Sequence, residues 1–150
     1  MSALRELYQE VILDHNKSPR NFRRMEDASQ TTEGNNPLCG DHYTVYLKVE
    51  GDVIRDISFE GAGCAISKAS ASLMSGVVKG KTRADAVALF EQFHKLVTGE
   101  FTSVAQLNGL GKLAAFAGVS DYPARVKCAI LAWHTLRAAL ESRKEPVTTE

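Results

Sequence analysis

The chain has 150 residues, 44% hydrophobic and 24% charged, and its 18 basic and 18 acidic side chains cancel to a formal net charge of zero. A chain of roughly this length buries about 68–70% of its unfolded surface, enough for one core, and the ordinary apolar fraction excludes wholesale disorder. The balanced charge lacks the basic excess of a nucleic-acid binder, and no window approaches the ~18 consecutive apolar residues of a membrane span, so neither nucleic acid nor membrane is expected as a partner.

Leu4, Leu7, Tyr8, Val11, Ile12 and His15 recur at the spacing of one helix face, which predicts an opening helix ended by Pro19. Arg5 and Glu6 interrupt any apolar block of the signal-peptide kind, so a cytoplasmic location is expected. After Pro19-Arg20-Asn21 the chain reads as irregular, with a short edge strand over 28–32 and turn-prone residues at Gly34-Asn35-Asn36-Pro37.

From Asp41 the period becomes two. Tyr43, Val45, Leu47 and Val49 alternate with Thr44, Tyr46 and Lys48, predicting a half-buried strand. Glu50-Gly51-Asp52 supplies the turn, and Val53 to Glu60 returns as a second strand with Ile57 and Phe59 on one face. Gly61-Ala62-Gly63 breaks that strand just before Cys64.

The remainder is helical. Ala65, Ala69, Leu73 and Val77 form one stripe, with small neighbours that permit close packing on the sheet, and Gly80 closes the helix. Thr82, with Asp85 three residues on, reads as the N-cap of a helix running through Val87, Phe90, Phe93 and Val97 to Gly99. A shorter helix is expected between Gly109 and Gly118. Pro123 then suits the first turn of a last helix carrying Val126, Ile130, Trp133, Leu136 and Leu140. The tail beyond Ser142 is polar and is expected to fray. Helix, antiparallel strands, then helices is an α+β order: one domain over 1–150, with a small antiparallel sheet of about three strands and helices packed on one face.

The chemistry sits with three cysteines. Cys39, Cys64 and Cys128 are odd in number, stand 25 and 64 residues apart and form no C-x-x-C pair, so a disulfide scaffold is not expected. Cys39 lies in a loop before a strand, Cys64 between a strand end and a helix start, and Cys128 in the first turns of the last helix. Backbone N–H groups at a helix N-terminus favour a thiolate. On a strand beginning near residue 39, Cys39 and Asp41 share a face while His42 points away. Cys39, Asp41, Cys64 and Cys128 can thus converge as three sulfurs and one oxygen, a donor set suited to tetrahedral zinc. Blander readings stand beside this one: Cys128 as a small buried hydrophobe, Asp41 as an Asx turn, Trp133 as core, and His15, His94 and His134 as packing or surface residues.

The segments Asn36-Pro37-Leu38-Cys39-Gly40-Asp41, Gly61-Ala62-Gly63-Cys64-Ala65-Ile66-Ser67 and Pro123-Ala124-Arg125-Val126-Lys127-Cys128 resemble the three cysteine motifs of the IscU/NifU-N family of iron–sulfur cluster assembly proteins. Asp14-His15 and Pro19-Arg20-Asn21 are similar to that family as well. Lys127 stands where IscU scaffolds carry histidine, and residues 100–120 read as an insertion; both features resemble the SufU branch, which works with the cysteine desulfurase SufS. The resemblance implies an IscU/SufE-like fold and zinc held by Cys39, Asp41, Cys64 and Cys128. A lysine ammonium has no lone pair, which leaves Asp41 as the fourth ligand. Arg125 and Lys127 would offset the excess negative charge of the site or meet an acidic partner surface.

The function so implied is zinc-dependent sulfur relay. Cys39 would accept persulfide sulfur from a SufS-type desulfurase and pass it to downstream Suf cluster-assembly proteins. One alternative is a scaffold that builds a 2Fe–2S cluster on the same thiolates, with iron in place of zinc. Another, of a different class, is a purely structural zinc module. A hydrolytic cysteine enzyme ranks last, because no histidine has a clear claim to partner a cysteine.

Overall fold

The computed structural model of the chain describes residues 2–37, 40–100, 110–142 and 145–148. Helix α1 (Ser2–Lys17) precedes three strands, β1 (Gln30–Asn36), β2 (Asp41–Glu50) and β3 (Val53–Ala62). Helices α2 (Ala65–Val78) and α3 (Arg83–Val97), a 3₁₀ segment (Gly111–Asp121), helix α4 (Pro123–Leu140) and a two-residue strand β4 (Val147–Thr148) complete the order. The sheet runs β3-β2-β1-β4, antiparallel except that β4 joins β1 in parallel. The α+β class and one-faced sheet agree with expectation; the fourth strand is an addition. It also corrects the fraying tail, since Val147 and Thr148 pair with Gly34 and Asn35.

Strand β1 departs furthest from its sequence reading. It is centred later than 28–32 and includes Gly34-Asn35-Asn36, residues of turn-like composition. What holds them extended is pairing: Asn36 stands opposite Asp41 and Gln30 opposite Leu47 along β2. Its buried residues, Thr32, Gly34 and Asn36, alternate as a strand should but carry no apolar side chain to announce it. The inner face of β2 is the predicted Tyr43, Val45 and Leu47, all fully buried, and β3 adds Ile57 and Phe59.

Helix α4 packs against β1, β2 and α2, and helix α1 against α2 and the 3₁₀ segment. Trp133 of α4 stacks on Phe93 of α3 with ring centroids 4.7 Å apart, and Phe116 meets Phe93 edge-on. The 3₁₀ segment replaces the expected short helix. Leu113, Phe116 and Val119, spaced by three, form a single buried row under three residues per turn, which a 3.6-residue period would have fanned apart. The predicted cap of α3 is present, Thr82 Oγ1 accepting from the Asp85 N–H at 3.1 Å.

Helix α2 buries more than its expected stripe. Ser67, Ser70, Ser72 and Ser75 are all buried, because α2 lies between α1 and α4 and only small side chains fit there. Their hydroxyls are partnered: Ser70 receives the Trp133 indole N–H at 3.2 Å, and Ser72 receives the Arg20 backbone N–H at 2.8 Å and meets His15 Nδ1 at 2.7 Å. Asn21, at φ 58°, accepts the Phe59 N–H and so caps the outer edge of β3.

This packing has a pH consequence. Burial, then the nearby Arg20 charge, lowers the pKa of His15; burial, then His94 and Arg137, lowers that of His134. The unfolded chain therefore takes up protons first as pH falls through about 6.5, so stability decreases from there downward. Thermal unfolding of metal-free protein between pH 7.5 and 5.5 should show a falling midpoint, with a shallower slope in His134→Gln. Equal slopes in the two proteins would refute this assignment.

Candidate metal centre

Three segments deliver the site. Asp41 begins β2, Cys64 precedes α2 and Cys128 lies in the second turn of α4. One ligand atom from each falls within 4.8 Å of the others, the sole such group of three or more His, Cys, Asp or Glu among the described residues. Sequence reasoning had named all three. Leu38 and Cys39 lie outside the described residues, as do 101–109 of the expected insertion and 143–144 and 149–150 of the tail.

Local structure explains each position. Cys64 is the N-cap of α2, its Sγ accepting from the Ser67 N–H at 3.4 Å, so an exposed sulfur sits where the helix presents unpaired donors. Asp41 Oδ1 accepts the Cys64 N–H at 3.0 Å, joining the start of β2 to the start of α2. Asp41 is only 1% exposed, and among the described residues its Oδ2 has no hydrogen-bond partner. Cys128 is buried at 3% exposure, its Sγ 3.5 Å from the Ala124 carbonyl. His42, as the alternation predicted, is exposed on the other face and engages Asn35 Oδ1 at 2.6 Å.

Supporting groups escaped the sequence reading. Tyr43, buried beneath the site, meets Ser67 Oγ at 2.8 Å. Burial pushes its phenol well above the usual tyrosine range, so it stays a neutral O–H. Asn36 is fully buried, and its Nδ2 lies 3.8 Å from Cys128 Sγ. A Cβ on Gly63 would stand 2.5 Å from Ser67 Oγ and 2.6 Å from both Asp41 Oδ1 and Tyr43 Oη, so only glycine passes there unopposed. Two signals were available in retrospect. Ser67 is third after an N-cap, and Asn36 and Asp41 bracket a short connection that makes them face each other.

The auxiliary basic residues sit at the edge. Exposed Arg125 lies over the Tyr122 ring at 5.4 Å. Lys127 is half-buried; neighbours in a helix point about 100° apart, which turns it off the Cys128 face.

The donor set fits a divalent ion. A tetrahedral zinc with bonds of about 2.3 Å to sulfur needs its sulfurs roughly 3.8 Å apart, and the three ligand atoms here all lie within 4.8 Å of one another. The buried, unpartnered Asp41 Oδ2 is costly unless something binds it. Two cysteines and a carboxylate suit zinc or iron. Among the described residues, no helix is long and apolar enough to cross a membrane.

Comparison with known proteins bears on the same residues. Residues 7–129 match the family model described as NifU-like N terminal domain. The chain is 41% identical to the iron–sulfur cluster assembly scaffold protein IscU of Thermotoga maritima, over 93% of this chain and 96% of that one. It is 42% identical to the zinc-dependent sulfurtransferase SufU of Bacillus subtilis, over 87% and 86%. In three dimensions it resembles a crystal structure from Fervidobacterium islandicum, described as a putative iron–sulfur cluster assembly scaffold for the SUF system, at TM-score 0.81 and 39% identity over 87% and 94%. The chain belongs to the NifU-like N-terminal domain family, beside proteins named IscU and SufU.

Proposed function

We propose that this protein acts in iron–sulfur cluster assembly as a zinc-dependent sulfur acceptor, taking persulfide sulfur from a SufS-type cysteine desulfurase and passing it to downstream cluster-assembly proteins. The observation that carries the reading is the convergence of one ligand atom each from Asp41, Cys64 and Cys128 within 4.8 Å, at an aspartate whose Oδ2 is buried and has no hydrogen-bond partner among the described residues. The donor set, and likeness to a relative named as a zinc-dependent sulfurtransferase, support zinc. Asp41, Cys64 and Cys128 would hold the ion with Cys39, two residues from Asp41 in the chain, as fourth donor. Bound zinc keeps cysteines as thiolates, the nucleophilic form.

Cys39 is the acceptor in this reading. Its thiolate attacks the terminal sulfur of the desulfurase persulfide. A new S–S bond forms on Cys39, the bond to the donor sulfur breaks, and the donor cysteine leaves as thiolate with the electron pair. No net oxidation occurs. Cys64, exposed at the mouth, keeps the site open to a partner, while buried Asp41 and Cys128 anchor it. Arg125 and Lys127 supply positive charge at the rim for an acidic partner surface.

A second reading, the scaffold for a 2Fe–2S cluster, is favoured by the Thermotoga relative's name and near-complete coverage. Metal analysis and desulfurase assays separate the two. The relay predicts about one zinc per chain, stimulation of cysteine turnover that chelation removes, and loss of that stimulation in Cys39→Ser. Normal stimulation by Cys39→Ser would end the acceptor assignment, and a stable cluster passed intact to an apo-acceptor would favour the scaffold.

A further inference from the structure

Asn36 closes β1 with its side chain turned toward α4, in the row Thr32, Gly34, Asn36. Along α4 the facing residues are Cys128, Leu131 and Thr135, one helix face at spacings of three and four. A Cβ on Gly34 would lie 3.2 Å from Leu131 Cδ1 and would collide with Thr135 Oγ1, so glycine lets the helix settle directly on the strand. That close approach brings the Asn36 amide to Cys128. Its Nδ2 lies 3.8 Å from Cys128 Sγ, a length suited to an N–H donor on the larger sulfur atom, and the residue is 0% exposed.

The other half of the amide has no partner among the described residues: Asn36 Oδ1 is buried without a hydrogen bond to any of them. A side chain placed there only to fill space would be apolar, because an unpaired buried oxygen is costly. Its retention points to the N–H as the useful end. We infer that Asn36 is a positioning residue for the candidate metal centre, holding the Cys128 sulfur by an N–H···S bond and aiming it at the point shared with Asp41 and Cys64. The inference rests on the metal-binding reading above and deepens it. Two thiolates and a carboxylate already carry more negative charge than one divalent ion offsets, and an amide donor beside sulfur relieves part of that excess without becoming a ligand. Outer groups of this kind typically govern metal affinity by about 10–100-fold.

Asn36→Leu tests the role, because leucine is of similar shape and removes both the donor and the unpaired oxygen. Zinc affinity is read by competition with a chromophoric chelator, and the cobalt-loaded protein by its sulfur-to-cobalt charge-transfer band. The expected result is a zinc affinity lower by about 10–100-fold and a displaced band, with the metal-free melting temperature unchanged or raised. Asn36→Ala should repeat the metal effects should the leucine variant fail to fold. Unchanged affinity and band, with wild-type protein binding metal normally, overturn the role of Asn36 alone. A wild-type protein that takes up neither metal overturns the metal-binding reading and this inference with it. A lower melting temperature with an unaltered band assigns Asn36 to packing and overturns the inference as well.

Discussion

Cys128→Ser and Asp41→Ala are each expected to weaken zinc binding by about a hundredfold or more while leaving the fold intact. Structural zinc sites bind with roughly 10–16 kcal/mol shared over four donors, so one donor carries on the order of 3 kcal/mol, and each 1.4 kcal/mol is tenfold. The fold is expected to survive because much of the core packs away from the site: Trp133 and Phe116 both pack on Phe93, and all three are fully buried. Chelation supplies the complementary measurement. A ligand present at a thousand times its Kd stabilises the folded state by about 4 kcal/mol, so chelator should lower the melting temperature of the wild type by about 8–16 °C. The same chelator should move Cys128→Ser by only about a third as much, because a hundredfold weaker site keeps roughly 1.4 kcal/mol of that stabilisation. A wild-type protein whose melting temperature ignores chelator would contradict the site.

The second large effect is expected at the contact between β1 and α4. Gly34→Ala places a Cβ against Thr135 Oγ1 and Leu131 Cδ1, in an interior where Thr135 already donates to the Leu131 carbonyl at 2.8 Å. Overpacking of this kind costs about 1–3 kcal/mol, which for a chain of this size is roughly 2–12 °C in melting temperature. Removing the obstacle should restore much of the loss: Gly34→Ala with Thr135→Ala together should be more stable than the sum of the single effects predicts, a coupling that appears only between residues in contact. Strict additivity in denaturant unfolding would show that helix and strand are not pressed together here. The same displacement should carry Cys128 away from Asn36, so the single variant is also expected to bind zinc less well.

Much of this molecule was readable along the chain because its strongest signals are periodic. Tyr43, Val45 and Leu47 alternate, Leu4 to His15 recur at helical spacing, and Pro123 and Thr82 stand where helices begin. Those signals reflect burial of one face of an element, which each element carries in its own sequence. Strand β1 carries no such signal. Thr32, Gly34 and Asn36 are buried by what lies opposite them, β2 on one side and α4 above, and nothing in Gly34-Asn35-Asn36 foretells either neighbour. The 3₁₀ period at Leu113, Phe116 and Val119 and the parallel pairing of Val147 and Thr148 were decided in the same way, by contacts remote in sequence.

The candidate site divides along that line too. Residue chemistry nominated Cys39, Asp41, Cys64 and Cys128 while leaving blander uses open for Asp41 and Cys128, and the family resemblance pointed to the same four. Their arrangement is a property of three dimensions. Donors drawn from the start of β2, the start of α2 and the second turn of α4 meet only when the sheet and two helices are assembled. The groups around them, Asn36, Tyr43, Ser67 and Gly63, are ordinary residues whose role comes entirely from what folding places beside them. A side chain's identity specifies which bonds it can form. Packing specifies which partners come within reach.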